Sequence, residues 1–96
     1  MKCRTHLLAE QELLEAATHY HDQHPGLGAG FLEAFEEAIA FLRRHPRGAP
    51  IIDGELRRLV MPRFPYNIIY RIAGTTIRIL AVSHHKRSPS HWADRS

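Results

Sequence analysis

The sequence has little cysteine, little lysine and no long apolar run. Its single cysteine, Cys3, excludes an internal disulfide framework and a thiolate metal cluster. Such a chain is expected in a reducing compartment, with the cytoplasm as the default location. The opening stretch MKCRTHLLAEQELLEAA holds a short basic segment, but neither a continuous apolar core nor a small-residue cleavage signal. Neither a secretory leader nor a membrane span is therefore expected. There is no nucleophile elbow, which makes serine hydrolase chemistry the weaker reading, and there is no glycine-rich phosphate loop either. Eight histidines invite a metal reading, but no pair has the H-E-x-x-H or another recognised ligand spacing. His19, His21 and His24 spread around a helix end, and the adjacent His84 and His85 would point to opposite faces of a strand. No metal and no other cofactor is expected.

What is present fits one small domain spanning residues 1–96, with a mass of 11.0 kDa. Surface scaling gives about 5,600 Å² folded against roughly 16,000 Å² unfolded, enough burial for two layers. A deep enclosed cleft is excluded at this size, so any chemistry takes place on an exposed surface or on a partner's substrate. The charge is unevenly placed. Residues 1–50 carry five Lys/Arg and seven acids, whereas residues 51–96 carry eight Lys/Arg and three acids. Eleven of the thirteen basic residues are arginine, the side chain suited to bidentate contact with carboxylate or phosphate. The second half therefore presents either a merely basic surface or an anion-attracting face for nucleic acid or an acidic protein.

The apolar spacing predicts the order β-α-α-β-β-β. Residues 2–8 alternate as a short strand, with Cys3, Thr5 and Leu7 on one side. From Ala9 the spacing becomes helical, through Leu13, Ala16, Ala17 and Tyr20, until HPGLG at 24–28 stops the helix. A second helix runs to Arg44, with Phe31, Phe35, Ala38 and Leu42 on one stripe, widened by Leu32 and Ile39, and Pro46 closes the run. The two should pair as an antiparallel hairpin. Residues 47–55 read as a turn-rich connection. Strands follow at Leu56 to Met61, Tyr66 to Ala73 and Thr76 to Ser83, forming an antiparallel meander. Tyr66, Ile68, Tyr70 and Ile72 share one face of the middle strand. In the last strand Ile77, Ile79 and Ala81 oppose Arg78, Leu80 and Val82. The fold class is α+β, a helical hairpin on one side of a mainly antiparallel sheet. The other sheet face, with Asn67, Arg71 and Arg78, is expected to be wet and open to a partner.

The tail at 84–96 is dense in imidazole and guanidinium groups. Ser88 and Pro89 suit the start of a helical turn carrying Trp92, which either anchors the tail to the sheet or meets a partner. A metal-independent RNase needs a base for the 2′-hydroxyl, an acid for the 5′-oxygen and cations for the phosphate. His85 suits the acid or base, and Arg63, Arg71 or Arg87 the clamp. The alternative is that His84 and Arg87 pair with carboxylates or carbonyls at the sheet end.

Three segments carry a resemblance: LLEAATHYHDQHPGLGAGFLEAFEEAIAFLRRHP, RRLVMPRFPYNIIYRI and IRILAVSHHKRSPSHWADR. In order and spacing they resemble the RelE/ParE toxin superfamily, in its ParE-like branch, over nearly the whole chain. RFPYNIIYRI (63–72) and ILAVSHHKRSPSHW (79–92) are the most specific words. The resemblance implies the toxin half of a type II toxin–antitoxin pair, a plasmid stabilisation protein held by a cognate antitoxin that wraps an extended and helical segment over it. ParE-like members imply inhibition of DNA gyrase with no catalytic residues. RelE-like members imply ribosome-dependent mRNA cleavage, for which Arg63, His85 and Arg87 would serve here. RelE-type proteins usually place an arginine after the central-strand tyrosine, where this chain has Asn67 after Tyr66. Their last-strand arginine matches Arg87, and their tail tyrosine falls at Trp92, which lacks a hydroxyl. Two of three matched positions thus depart from the nuclease pattern, and the gyrase reading leads. Its target contacts map to the C-terminal region, to His84, Arg87 and Trp92, with Asn67, Arg71 and Arg78 as sheet-face contacts. A non-toxic interaction module is the third reading. The antitoxin usually supplies DNA binding in this superfamily, so sequence-specific DNA binding by this chain alone is not expected.

Overall fold

The computed structural model describes residues 1–87, Trp92, Asp94 and Arg95. Strand β1 (Lys2–Thr5) leads into helices α1 (Leu7–Gln23) and α2 (Leu27–Arg44). Four strands follow: β2 (Ile51–Asp53), β3 (Leu56–Val60), β4 (Tyr66–Ala73) and β5 (Thr76–His84). The sheet order is β1-β5-β4-β3-β2. Neighbours are antiparallel except β1 and β5, which pair in parallel from Lys2↔Thr76 to Thr5↔Ile79. A parallel pair needs a long crossover, and here everything between β1 and β5 serves as one. The architecture is the expected α+β arrangement.

The first strand is shorter than its alternation suggests. It ends at Thr5 because His6 caps α1, its Nδ1 accepting the Leu8 amide at 3.0 Å. Its own amide donates to the Ile79 carbonyl at 2.8 Å. Histidine is not among the favoured capping residues, so the helix start is hidden in the sequence. The reading of 47–55 as connection alone is also corrected, since it contains β2. All three β2 residues are exposed, which leaves no alternation to detect. Arg57 and Tyr70 hold this connection, Nη1 donating to Ala49 O and the phenol to Pro46 O, each at 2.8 Å.

The hairpin turns where Gly26 adopts φ 90°, a left-handed conformation suited to glycine. Two residues on, a Cβ at Gly28 would lie 2.6 Å from the Ala17 carbonyl oxygen. That absent carbon lets the helices approach closely. The core lies between hairpin and sheet: Phe31, Phe35, Ala38 and Leu42 meet Ile68, Tyr70, Ile77, Ile79 and Val82. Leu32 instead faces outward, on the hairpin's outer groove. Cys3 faces this core, and burial pushes its thiol up, opposed by Arg43 and aided by Glu36.

The face assignment of β5 needs correction. Ile69 pairs with Ala81 but Tyr70 pairs with Ile79, so Leu80 is an extra residue in the ladder. This bulge reverses the alternation. Val82 therefore joins Ile77 and Ile79 against the helices, while Ala81 faces away. The far face is not simply wet, either. Trp92 packs there with Ile69 and Ala81, flanked by Leu56, and Asn67 is only 9% exposed. Arg71 and Arg78 are half-buried. The helical turn expected at Ser88 and Pro89 lies outside the described residues. Among those described, no helix is long and apolar enough to cross a membrane.

Candidate functional site

The end of β5 is built on an aromatic cluster. Phe31 of α2 meets the rings of Tyr20, Phe64 and Tyr66 with centroids 5.4, 5.1 and 5.0 Å away. The Phe64 and Tyr66 rings meet it edge-on and Tyr20 is tilted; such packing is favourable beyond area burial, and it sets Tyr66 where His84 meets it edge-on at 5.2 Å. Burial, and then the neighbouring Tyr20, push the Tyr66 phenol up. Burial does the same to Tyr20. Both phenols are therefore neutral, suited to hydrogen bonding and not to acting as bases.

Beyond His84 the chain makes a tight basic turn. Its Nδ1 accepts the Lys86 amide at 3.1 Å and its carbonyl accepts the Arg87 amide at 3.0 Å. The neutral ring consequently carries its proton on Nε2. The His85 amide donates to Pro65 O at 2.9 Å, which ties the turn to the start of β4. His85, Lys86 and Arg87 are left exposed. A shallow groove of about 150 Å³ runs from this turn to α1, lined by Glu12, Glu15, Ala16, His19, Tyr66, Val82, His84 and Arg87.

The expected nuclease set is not gathered there. Arg63 is exposed and lies 3.5 Å from Glu37 of α2, and neither it nor His85 lines the groove with Arg87. His84 and Arg87 are together at the groove. Trp92 is 6% exposed, so its geometry is that of an anchor. On the far sheet face, Arg71 and Arg78 are cross-strand partners, and Arg4 of β1 is in register with Arg78. Three arginines thus form one lateral row, a concentration of positive charge. Among the described residues, no group of three or more His, Cys, Asp or Glu could hold a metal ion.

Sequence reasoning missed Glu12 and Arg95. Glu12 of α1 receives Arg95 Nη1 at 2.7 Å and Nη2 at 3.2 Å. It also accepts the Val82 amide at 3.0 Å. Glu12 resembles the other acids of its helix in sequence, and nothing in the pattern marks it.

The sequence matches the family described as the ParE toxin of type II toxin–antitoxin system, parDE, over residues 4–89. Among solved structures, the chain is similar to one from the chromosomal ParDE TA system of P. aeruginosa. The TM-score is 0.77 at 22% identity, over 88% of this chain and 95% of that one. At that identity the likeness is one of fold. Comparison with curated proteins returns no match.

Proposed function

The chain belongs to the ParE toxin family of type II toxin–antitoxin systems, and from that premise we propose that it inhibits DNA gyrase until a cognate antitoxin neutralises it. The observation that supports the reading is the basic turn after β5. Its backbone is fixed by His84 and Pro65, and it presents Lys86 and Arg87 to solvent. A rigid, exposed, arginine-bearing turn suits recognition of a protein surface, because little ordering is needed on binding. The nuclease alternative lacks such support, since Arg63 sits beside Glu37 and does not line the groove with Arg87.

For the antitoxin, two surfaces fit. The outer groove of the hairpin, about 350 Å³, is lined by Leu14, Ala17, Leu32 and their neighbours, which suits an apolar helix stripe. The arginine row on the far sheet face suits an acidic segment. The similar solved chain comes from a ParDE TA system, in keeping with a partner of this kind.

Purified toxin added to gyrase and relaxed plasmid is expected to block supercoiling. Arg87→Ala should raise the concentration required by about 10–30-fold, as loss of an interface arginine does, with little change in melting temperature. Unchanged potency would remove Arg87 from the target surface. Failure of the wild type to inhibit would refute the gyrase assignment itself.

A further inference from the structure

Strand β1 ends the sheet, so its outer edge has no strand beside it among the described residues. Cys3 joins the core beneath the helices, and alternation therefore puts Lys2 and Arg4 on the far face. Along this edge runs an open cleft of about 860 Å³, lined by residues 1–4 together with Arg43, Thr75 and Thr76. Arg43 comes from the last turn of α2, and its charge acts on the Cys3 thiol. Among the described residues, every charged side chain lining the cleft is cationic. Glu36 also acts on that thiol but does not line the cleft.

Arg4 belongs to the lateral row with Arg78 and Arg71 as well. Cleft and row thus form one basic band that runs from Arg43 past Lys2 and Arg4 to Arg78 and Arg71, wrapping the β1 edge. The opposite charge is segregated from it. Seven of the ten acids stand on α1 and α2, in the layer behind the sheet, so a polyanion is steered to the sheet side.

The spacing of the row favours phosphate over carboxylate. Strands about 4.8 Å apart set its three guanidinium groups across roughly 10 Å. An extended acidic peptide returns a side chain to one face only about every 6.7 Å. A DNA strand supplies a phosphate about every 3.4 Å along its axis, so each guanidinium meets an anion. The lysine and the threonine hydroxyls at the cleft are phosphate-contacting groups too. We propose that this band is a contact surface for the phosphate backbone of duplex DNA, engaged without regard to sequence. The choice of DNA as the polyanion rests on the gyrase reading, since gyrase holds duplex DNA, whereas the band itself does not. An acidic antitoxin segment laid on the arginine row competes with DNA for it.

The test is direct binding of the full chain, without gyrase, to a labelled mixed-sequence DNA duplex of about 20 bp. Neutralising about four to five phosphates makes affinity fall about 100–500-fold between about 50 and about 200 mM salt. Arg4→Gln/Arg43→Gln removes two exposed cations of the band. It is expected to weaken binding by about ten-fold or more and to flatten the log–log salt slope by about two. Arg44→Gln/Arg47→Gln carries the same net charge, with both residues exposed and outside the cleft. That variant should bind within about two-fold of the wild type. Absence of binding, or binding indifferent to salt, would overturn the proposal. Equal losses in the two double variants would do the same, because they mark net charge and not a site. Polyglutamate of matched charge binding as tightly as the duplex would give the band to an acidic protein instead. An RNA duplex binding about ten-fold tighter would remove DNA as the ligand. Because gyrase is absent from these measurements, failure of the supercoiling assay leaves their result standing.

Discussion

Glu12→Leu is expected to destabilise the fold by about 3–5 kcal/mol, a large share of the roughly 5–15 kcal/mol that holds a domain of this kind together. The substitution leaves the Arg95 guanidinium in a mostly buried position without its carboxylate. It also strips the Val82 amide of its acceptor, and a buried donor left unmade costs about 1–3 kcal/mol. Leucine fills much of the volume, so cavity formation contributes little. The double variant Glu12→Leu/Arg95→Leu should be milder than Glu12→Leu alone, because no unpaired charge remains. It should still fall below the wild type, because the bulge keeps its unsatisfied backbone groups. Denaturant unfolding of the three proteins checks this. A double variant as damaged as the single one would mean that the bulge, and not the charge, dominates.

Phe31→Ala is expected to cost about 3–5 kcal/mol as well, for a different reason. The ring is wholly buried and touches Tyr20, Phe64 and Tyr66 within one cluster. Its removal opens a cavity beneath the strand that carries Tyr66, while the edge-on ring contacts, about 0.5–1.5 kcal/mol apiece, are lost with it. Melting should fall by roughly 15 °C or more. Because Tyr66 supports His84, the same variant should weaken gyrase inhibition at temperatures where it remains folded. Phe31→Leu, closer in volume, should cost less than half as much. Equal losses for the two variants would show that restored volume does not help and that the ring contacts carry the effect.

How far the molecule can be read from its sequence depends on whether a residue's role is local. Strand β4 runs from Tyr66 to Ala73 as its alternation predicts, because Tyr66, Ile68, Tyr70 and Ile72 all meet the helices. The second helix follows its stripe for the same reason, apart from Leu32, which lies on the outer groove. Strand β5 was ambiguous because Leu80, Ala81 and Val82 are all apolar, so the pattern does not show where a bulge reverses the faces. Strand β2 could not be seen, since both of its faces are exposed.

The site divides along the same line. His84 and Arg87 lie three residues apart, and the turn that joins them is encoded locally. In the sequence Arg63 and His85 are equally available for chemistry, but Glu37 sits beside Arg63 on the surface. The Glu12–Arg95 pair spans 83 residues. No local signal encodes a pairing of that range, and only the fold makes it visible. Trp92 shows the converse. Its position in a polar tail suggested two roles, and its burial against Ile69 and Ala81 favours the anchor.

A toxin that inhibits gyrase acts on DNA topology and not on translation. The most direct test is pulse incorporation of labelled thymidine and methionine, in parallel, minutes after induction in cells lacking the antitoxin. Early loss of thymidine incorporation is expected while methionine incorporation continues. Immediate loss of methionine incorporation would contradict gyrase inhibition.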